Sequence, residues 1–305
     1  KLFWRRHPMD RKDFIIAVYL LVCEHCPAIK ARYPLRRGGF APALTDEEVI
    51  TMEICGEYFK LGTDEDLFDH FQAHYQAWFP QLRDRTLFVR QAANLWQVKA
   101  LIQQRLTWVS GQAADPVQVI DTLPLPVCTI TRAPRDRAFK PAADYGYCAA
   151  KDLHYYGFKL GLRVARSGMI IHYPLLPARP HDVLLTDELV ADFVGVVPAD
   201  KGFIDAVRQA LLAERHGVTL VTPPRKRMQS AFAPAVLKRC ARWRKRVETV
   251  GSHLTERFGV TRIRVRDLWH YQHRLIRKIL AHTVVVFLNL QLGRKPLDLD
   301  GLVAA

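Results

Sequence analysis

The chain has little of what would build a disulfide scaffold, a structural zinc site or a membrane span. Its six cysteines include one close pair, Cys23 and Cys26, and no second pair follows at zinc-ligand spacing. We therefore expect reduced, mostly buried thiols, as in cytosolic proteins. The longest apolar run, residues 283–290, is too short to cross a bilayer. No signal peptide is visible, so we expect a cytoplasmic protein with no membrane partner.

Acidic side chains are also scarce. Asp and Glu total 30 against 45 Lys and Arg, which gives a formal net charge of +15. The excess is uneven, since residues 1–110 carry 15 basic and 13 acidic side chains and residues 111–305 carry 30 and 17. This balance favours a polyanionic partner, nucleic acid before an anionic membrane, although a generally basic soluble protein has the same composition. We expect most phosphate contacts in residues 111–305.

The pattern of residues 1–110 predicts an all-helical domain. A capping box at Thr45–Glu48 marks one helix start, residues Thr63–Asp66 mark a second, and a third helical run spans Thr86–Trp108. Three such helices form either a DNA-reading motif or a bundle that supports its neighbour or mediates dimerisation, and the sequence leaves these readings open. Gly and Pro in residues 110–116 break the pattern. We therefore predict a helical domain at 1–110 and a second domain at 111–305.

The order of predicted strands and helices in residues 111–305 indicates an α/β domain with a mixed five-stranded sheet flanked by helices. Strands are expected at 117–122, 155–164, 169–176, 195–200 and 218–221, and helices at 182–193, 204–215, 234–258 and 267–292, with a variable Arg-, Pro- and Tyr-rich stretch at 132–151. The right-handed crossover rule makes the fourth strand parallel to an earlier one. If that neighbour is the first strand, Asp121 and Asp200 meet at one edge of the sheet.

Three carboxylates stand out as candidate metal ligands. Asp121 and Asp200 end predicted strands, and Glu248 follows a segment, Arg225 to Arg246, with nine basic residues and no acid. Together they would form an oxygen-rich site for two Mg²⁺ or Mn²⁺ ions, which is the arrangement that promotes in-line phosphodiester displacement. Simpler roles are a turn or loop-capping acid for each aspartate and an intrahelical partner of Arg244 or Arg246 for Glu248. The nearest competitor for the third position is Glu256.

Three segments, residues 119–122, 198–203 and 244–249, resemble the DDE motifs of bacterial insertion-sequence transposases with a ribonuclease-H-like catalytic domain. The alternating residues 156–160 and residues 180–182 are also similar, so the resemblance covers roughly 115–290. It implies that Asp121, Asp200 and Glu248 hold divalent metal and catalyse DNA cleavage and strand transfer. It further implies a homodimer that holds element ends and target as double-stranded DNA near the nucleoid. Some members carry a Tyr-Arg-Glu-Lys signature, of which Arg244 and Glu248 are present here.

Several other residues are candidates for DNA contacts or support. His154, His172 and His181 are general-base candidates or structural, Asp182 is a candidate supporting acid, and Trp243 and Trp269 either stack on a flipped base or pack in the core. The predicted phosphate contacts, for which a solvated charged face is the alternative, are Arg225, Lys226, Arg227, Arg242, Arg244, Lys245 and Arg246.

Two rival functions remain at this level. One is a metal-dependent nuclease that cuts DNA without joining strands. The other is a non-catalytic DNA-binding protein descended from a transposase, against which the presence of all three acids argues.

Overall fold

A computed structural model describes residues 8–34, 41–148 and 152–304, and the chain divides into two units. The first unit contains residues 1–110, 256–258 and 269–305; the second contains residues 111–255 and 259–268. The division after Ser110 coincides with the predicted boundary. The C-terminal segment differs from the prediction, because residues 269–305 group with the N-terminal helices and not with the sheet.

Helices dominate the first unit and strands the centre of the second. In chain order the helices of the first unit are α1 (Arg11–Arg32), α2 (Asp46–Tyr58), α3 (Asp64–Tyr75), α4 (Arg85–Asn94) and α5 (Trp96–Val109). The second unit follows with β1 (Gln118–Cys128), β2 (Asp144–Cys148), β3 (Leu153–Ala165), β4 (Ile170–His172), β5 (Leu175–Pro177), α6 (Thr186–Val190), β6 (Gly195–Pro198), α7 (Ala206–His216), β7 (Val218–Val221) and α8 (Pro234–Ser252). Helix α9 (Leu268–Gln291) returns to the first unit.

The predicted capping box at Thr45 is present in the first unit, and the predicted helix start at Thr63 has a capping box as well. The backbone N–H of Glu48 donates to Thr45 Oγ1 at 3.2 Å, and the N–H of Thr45 donates to Glu48 Oε2 at 2.7 Å. Thr63 and Asp66 exchange the same pair of bonds at 3.0 Å each. The helical run predicted at 86–108 is instead two helices, because the chain leaves helical geometry at Leu95, whose side chain is fully buried.

A buried ionic network explains why α9 belongs with the N-terminal helices. Glu53 and Glu57 lie on one side of α2, where neither is solvent-accessible. Lys99 of α5 donates to Glu53 at 2.6 Å, and Arg277 and Lys278 of α9 donate to Glu57 at 2.6 and 2.7 Å. Buried carboxylates need such partners, because an unpaired charge in a low-dielectric interior is very costly.

Helix α1 is long and apolar enough to cross a membrane, judged by length and composition alone, and it is the one such helix in the described part of the chain. The expectation that residues 283–290 form the longest apolar run is therefore wrong, because residues 14–23 of this helix are an uninterrupted apolar run of greater length. Phe14, Ile15, Val18 and Val22 on this helix are buried within the first unit.

The sequence predicts one mixed five-stranded sheet, whereas the second unit has a five-stranded antiparallel sheet with β3 at its centre and a separate parallel pair. One edge of β3 pairs antiparallel with β1, from Gln118↔Ala165 to Cys128↔Tyr156, and the other edge pairs with β2, β5 and β4 in turn. Strands β6 and β7 form a separate parallel pair. An isolated parallel bridge, Val117↔Val196, joins β6 to the start of β1. The fourth predicted strand is therefore parallel to the first, as the crossover argument requires.

Several predicted elements of the second unit differ from the structure. Strand β1 continues to Cys128, so Asp121 lies within the strand and not at its end. Strand β2 lies in the stretch predicted only as variable, of which residues 149–151 are outside the described residues. The helix predicted at 182–193 is a short 3₁₀ turn at Asp182–Leu185 followed by α6. The strand predicted at 169–176 is divided into β4 and β5, and α8 ends at Ser252, before the predicted end at 258. Strands β6 and β7 and helix α7 occur where the sequence indicates them.

Helix α8 packs against β1, β3 and β6. Val247 and Val250 supply its buried side, while Arg242, Lys245 and Arg246 are exposed. Helix α8 is therefore amphipathic, with most of its basic residues facing solvent. Arg244, which is half-buried, lies at the boundary between its buried and exposed faces.

Candidate active site

Asp121 and Asp200 are brought together by the alignment of β1 and β6. The bridge Val117↔Val196 sets the register of the two parallel strands, and each aspartate follows its bridge residue by the same number of positions. Both side chains line a cavity of about 910 Å³ in the second unit, together with Asp182. The apolar cluster below it, which includes Ile120, Val197 and Phe203, fixes the strands that carry the acids.

The Asp121 carboxyl is the electrostatically strained member of this group. Burial first, and then the neighbouring Asp200 and Asp182 carboxylates, raise its pKa from the ordinary 3.8 to about 6. The backbone N–H of Thr122, which donates to Asp121 Oδ1 at 2.8 Å, and the Arg244 guanidinium act in the opposite direction. A carboxylate whose negative charge is destabilised by burial and like charges is a site that a cation would stabilise.

Arg244 of α8 links the second aspartate to the helical glutamate. Its Nη2 lies 3.1 Å from Asp200 Oδ1 and 3.7 Å from Glu248 Oε1. The Arg244 side chain is 21% exposed, whereas that of Glu248 is 56% exposed. The structure therefore places Arg244, which we predicted to bind phosphate, among the acids. Glu248 therefore has the intrahelical contact with Arg244 that its simpler role predicts. The same arginine also contacts Asp200, so it connects the two acids.

Lys159 holds the carboxylate of Asp182 in position. This lysine is not among the site residues predicted from the sequence. Its Nζ donates to Asp182 Oδ1 at 2.8 Å and to the carbonyl oxygen of Pro180 at 2.7 Å. The loop after β6 approaches the same carboxylate, since a Cβ at Gly202 would lie 3.2 Å from Asp182 Oδ2. The available sequence signal was the lysine in the alternating strand of residues 156–160, where a cation on a buried strand needs a partner.

The predicted phosphate-binding residues lie in three places. Arg225 and Lys226 are exposed and line the cavity that contains the aspartates. Arg227 follows them with a φ of 68° and is exposed. Those on α8, apart from Arg244, are exposed on the helix surface; they are Arg242, Lys245 and Arg246.

The histidine and tryptophan candidates differ in whether they line the cavity. His154 and His181 line the cavity. His172 is half-buried, and burial, followed by the Arg163 guanidinium, lowers its pKa. Trp243 is half-buried on α8, and Trp269 belongs to the first unit. The structure therefore brings two of the three histidines to the aspartates and neither tryptophan into the cavity lining.

The donor chemistry fits a hard divalent cation. Asp121, Asp200 and Glu248 offer carboxylate oxygens, the ligands that Mg²⁺ and Mn²⁺ prefer. In the described residues no three or more His, Cys, Asp or Glu side chains lie close enough together to hold a metal ion as they stand, so the three carboxylates would have to draw closer around one. Arg244 supplies the positive charge next to Asp200 and Glu248 in this arrangement.

Comparison with known proteins gives one match. Residues 111–268 match the family model described as transposase DDE domain, which covers just over half of the 305-residue chain. The match begins at the first residue of the second unit and ends where α9 begins. No curated protein and no solved structure matches the chain.

Proposed function

The chain belongs to the transposase DDE domain family, and from that premise we propose that it is a metal-dependent DNA transposase acting through Asp121, Asp200 and Glu248. The observation that carries the proposal is the convergence of two strand-borne aspartates at one cavity, with Arg244 joining one of them to the helical glutamate. The second unit would be a ribonuclease-H-like domain. An antiparallel β1–β3 pair and a parallel β6–β7 pair on the other side of β1 support that assignment.

The proposed reaction has two phosphoryl transfers at one site. In the first, a water oxygen attacks a phosphorus at the element end, the P–O3′ bond breaks, and the departing oxygen takes a proton to become a free 3′-hydroxyl. In the second, that hydroxyl oxygen attacks a phosphorus of the target DNA and displaces the target 3′-oxygen. Divalent ions, two in the usual arrangement, would when bound stabilise the attacking and leaving oxygens.

The residues of this chain would hold and orient the reactants. Asp121, Asp200 and Glu248 would hold the metal ions through carboxylate oxygens. Arg225 and Lys226, exposed in the cavity, would bind the phosphates on either side of the reacting bond. Arg244 would exchange its acid partners for a phosphate when metal neutralises them, because a guanidinium binds phosphate and carboxylate with the same fork of donors.

The proposal is tested by cleavage of plasmid DNA bearing the cognate element ends, with Mg²⁺ or Mn²⁺. Wild type is compared with Glu248→Gln and, as a matched control, Glu256→Gln. We expect metal-dependent nicking by wild type and Glu256→Gln, and loss of nicking with retained DNA binding in Glu248→Gln. Equal nicking by all three proteins would show that Glu248 is structural. Joining of the freed end to a second DNA separates a transposase from a nuclease that only cuts.

A non-catalytic DNA-binding protein is the second candidate function. The contact of Arg244 with both Asp200 and Glu248 favours it, because these acids already have a counter-charge. Titration with Mn²⁺, followed by electron paramagnetic resonance of the free ion, distinguishes the two. Saturable binding that is lost in Asp121→Asn supports the enzyme. Tight DNA binding without Mn²⁺ binding or cleavage supports the second candidate.

We also propose the partners that the family implies. These are double-stranded DNA, as element ends and as target, and a second copy of the chain. The helices of residues 1–110 would bind the ends or mediate dimerisation, and the protein would act in the cytoplasm at the nucleoid. Light scattering of the protein with and without end DNA measures the stoichiometry, and one protein copy per DNA end pair would contradict the dimer.

A further inference from the structure

The β2–β3 hairpin presents aromatic rings on one side of the sheet. In its antiparallel register Tyr147 lies opposite His154 and Tyr145 lies opposite Tyr156. Because side chains alternate between faces with a period of two, these four residues share a face. The Tyr147 and His154 ring centroids are 4.6 Å apart, and those of Tyr145 and Tyr156 are 5.1 Å apart. Cross-strand packing accounts for the pairing.

Packing does not account for the ring area that remains open. Tyr147 is 50% exposed and Tyr145 is 43% exposed, and His154 is exposed as well, whereas Tyr156 at the inner end of the same face is buried. The Tyr147 hydroxyl donates to Asp152 Oδ1 at 2.8 Å, which fixes the ring on the surface. A side chain that is already held loses little conformational entropy when a ligand covers it.

These rings border the same cavity as the acids. Tyr145, Tyr147 and His154 line it together with Asp121 and Asp200. The lining also includes Arg225 and Lys226, both exposed. A cavity that combines a row of exposed rings with exposed cations has the two components of a single-strand binding surface, one for bases and one for phosphates.

Segments beside β2 hold it against the cavity. A Cβ at Gly146 would lie 2.7 Å from Ala178 Cβ and 2.9 Å from the Ala178 carbonyl oxygen, so glycine permits this close approach. Arg179, which also lines the cavity, pairs with Asp144 at the start of β2 at 3.0 Å. Together these contacts keep the hairpin beside the segment that carries Asp182.

We propose that Tyr147 and His154, with Tyr145, form a stacking platform for an unpaired nucleobase of a DNA strand whose backbone enters the acid-lined cavity. The inference rests on the proposed function, since it names how that site would hold its substrate. A base can offer its face to a side chain only after it leaves the duplex stack. The ligand class is therefore a nucleotide in a single-stranded tail or one flipped out at a cleaved end. Stacking on tyrosine and histidine tolerates any base, because every base has a π-face.

The test compares two DNA molecules, a short duplex with a single-stranded tail and the same duplex with blunt ends, in metal-free buffer. Binding is measured for wild type, for the double variant Tyr147→Ala/His154→Ala, and for the conservative variant Tyr147→Phe. We expect the double variant to bind the tailed DNA about tenfold more weakly and the blunt DNA within about twofold of wild type, since removal of a base–aromatic stack has this effect. Tyr147→Phe should keep the preference for the tail.

A phosphate-binding control separates stacking from charge. Arg225→Ala/Lys226→Ala should weaken binding of both DNA molecules alike. A 2-aminopurine in the tail should change its fluorescence on binding wild type and Tyr147→Phe but not the double variant, and circular dichroism checks that each variant is folded. Equal affinity of wild type and a folded double variant for tailed DNA would overturn the platform and leave the proposed function standing. Failure of wild type to bind either DNA would overturn both.

Discussion

Replacing Asp121 by asparagine should stabilise the metal-free protein. The amide has nearly the shape of the carboxyl group but carries no charge, and the environment of Asp121 penalises that charge through burial and through Asp200 and Asp182. Because the folded-state pKa is raised, from 3.8 to about 6, ionisation of Asp121 destabilises the folded state. The penalty is absent below the ordinary pKa, where both states are protonated. It grows as pH rises and is complete once pH has passed the folded-state pKa.

The pKa difference sets the magnitude. A separation of about two pH units corresponds to about 3 kcal/mol at full ionisation. We therefore expect Asp121→Asn to raise the free energy of unfolding by about 3 kcal/mol at pH 7.5 and by only about 1 kcal/mol at pH 4.5. Urea denaturation in the presence of EDTA measures both values, with Glu214→Gln, an exposed acid on α7, as the control.

The pH dependence is the decisive feature. A stabilisation that is equal at both pH values would refute the reasoning, because it would then come from packing and not from charge. Saturating Mg²⁺ provides an independent arm. It should stabilise wild type and have little effect on Asp121→Asn if this carboxylate is a metal ligand.

Three further predictions concern Arg244, the buried ionic network and a helix cap. Arg244→Ala should weaken DNA binding and reduce the slope of log affinity against log salt by about 1, and an unchanged slope would contradict the phosphate contact. Lys99→Met leaves Glu53 buried without its closest partner and should lower the free energy of unfolding by about 3–5 kcal/mol in urea titration. A loss no larger than that of the exposed Lys12→Met would mean that Lys99 contributes little. Thr45→Ala removes the capping box of α2 and should cost about 1 kcal/mol in the same assay, and no loss would argue against the cap.

The local signals in the sequence predicted the parts of the structure that depend on local chemistry. The capping boxes at Thr45 and Thr63 fix helix starts through bonds between residues three apart, so a single sequence reveals them. The approach of Asp121 to Asp200 followed from chain connectivity, because a right-handed crossover allows few placements of β6. The role of these acids remains a prediction.

Elements that depend on distant partners were harder to predict. Strand β1 contains Pro124 and Pro126, which normally end strands, and they are compatible here because β6 bridges β1 only at Val117 in the described chain. Strand β2 contains an aspartate and a glycine, which favour loops, and it acquires its strand conformation from β3.

In the site, too, contacts between residues near in sequence could be predicted, and contacts between residues far apart in sequence could not. That Arg244 precedes Glu248 by one helical turn is visible in the sequence, but its contact with Asp200 requires α8 to pack on the sheet. Likewise, Lys159 pairs with an acid more than twenty residues away. The sequence shows a lysine in this strand but does not specify which acid it pairs with.

The return of α9 to the first unit has a consequence for the order in which the protein folds during synthesis. The ribosome releases α2, with Glu53 and Glu57, long before it releases Arg277 and Lys278, which pair with them. The second unit, in contrast, is nearly continuous in the chain and can complete its sheet while α9 is still being made. We therefore expect nascent or truncated chains that stop before α9 to carry a folded DDE unit and an unfinished helical unit. Limited proteolysis of ribosome-bound chains would then cut the N-terminal helices first.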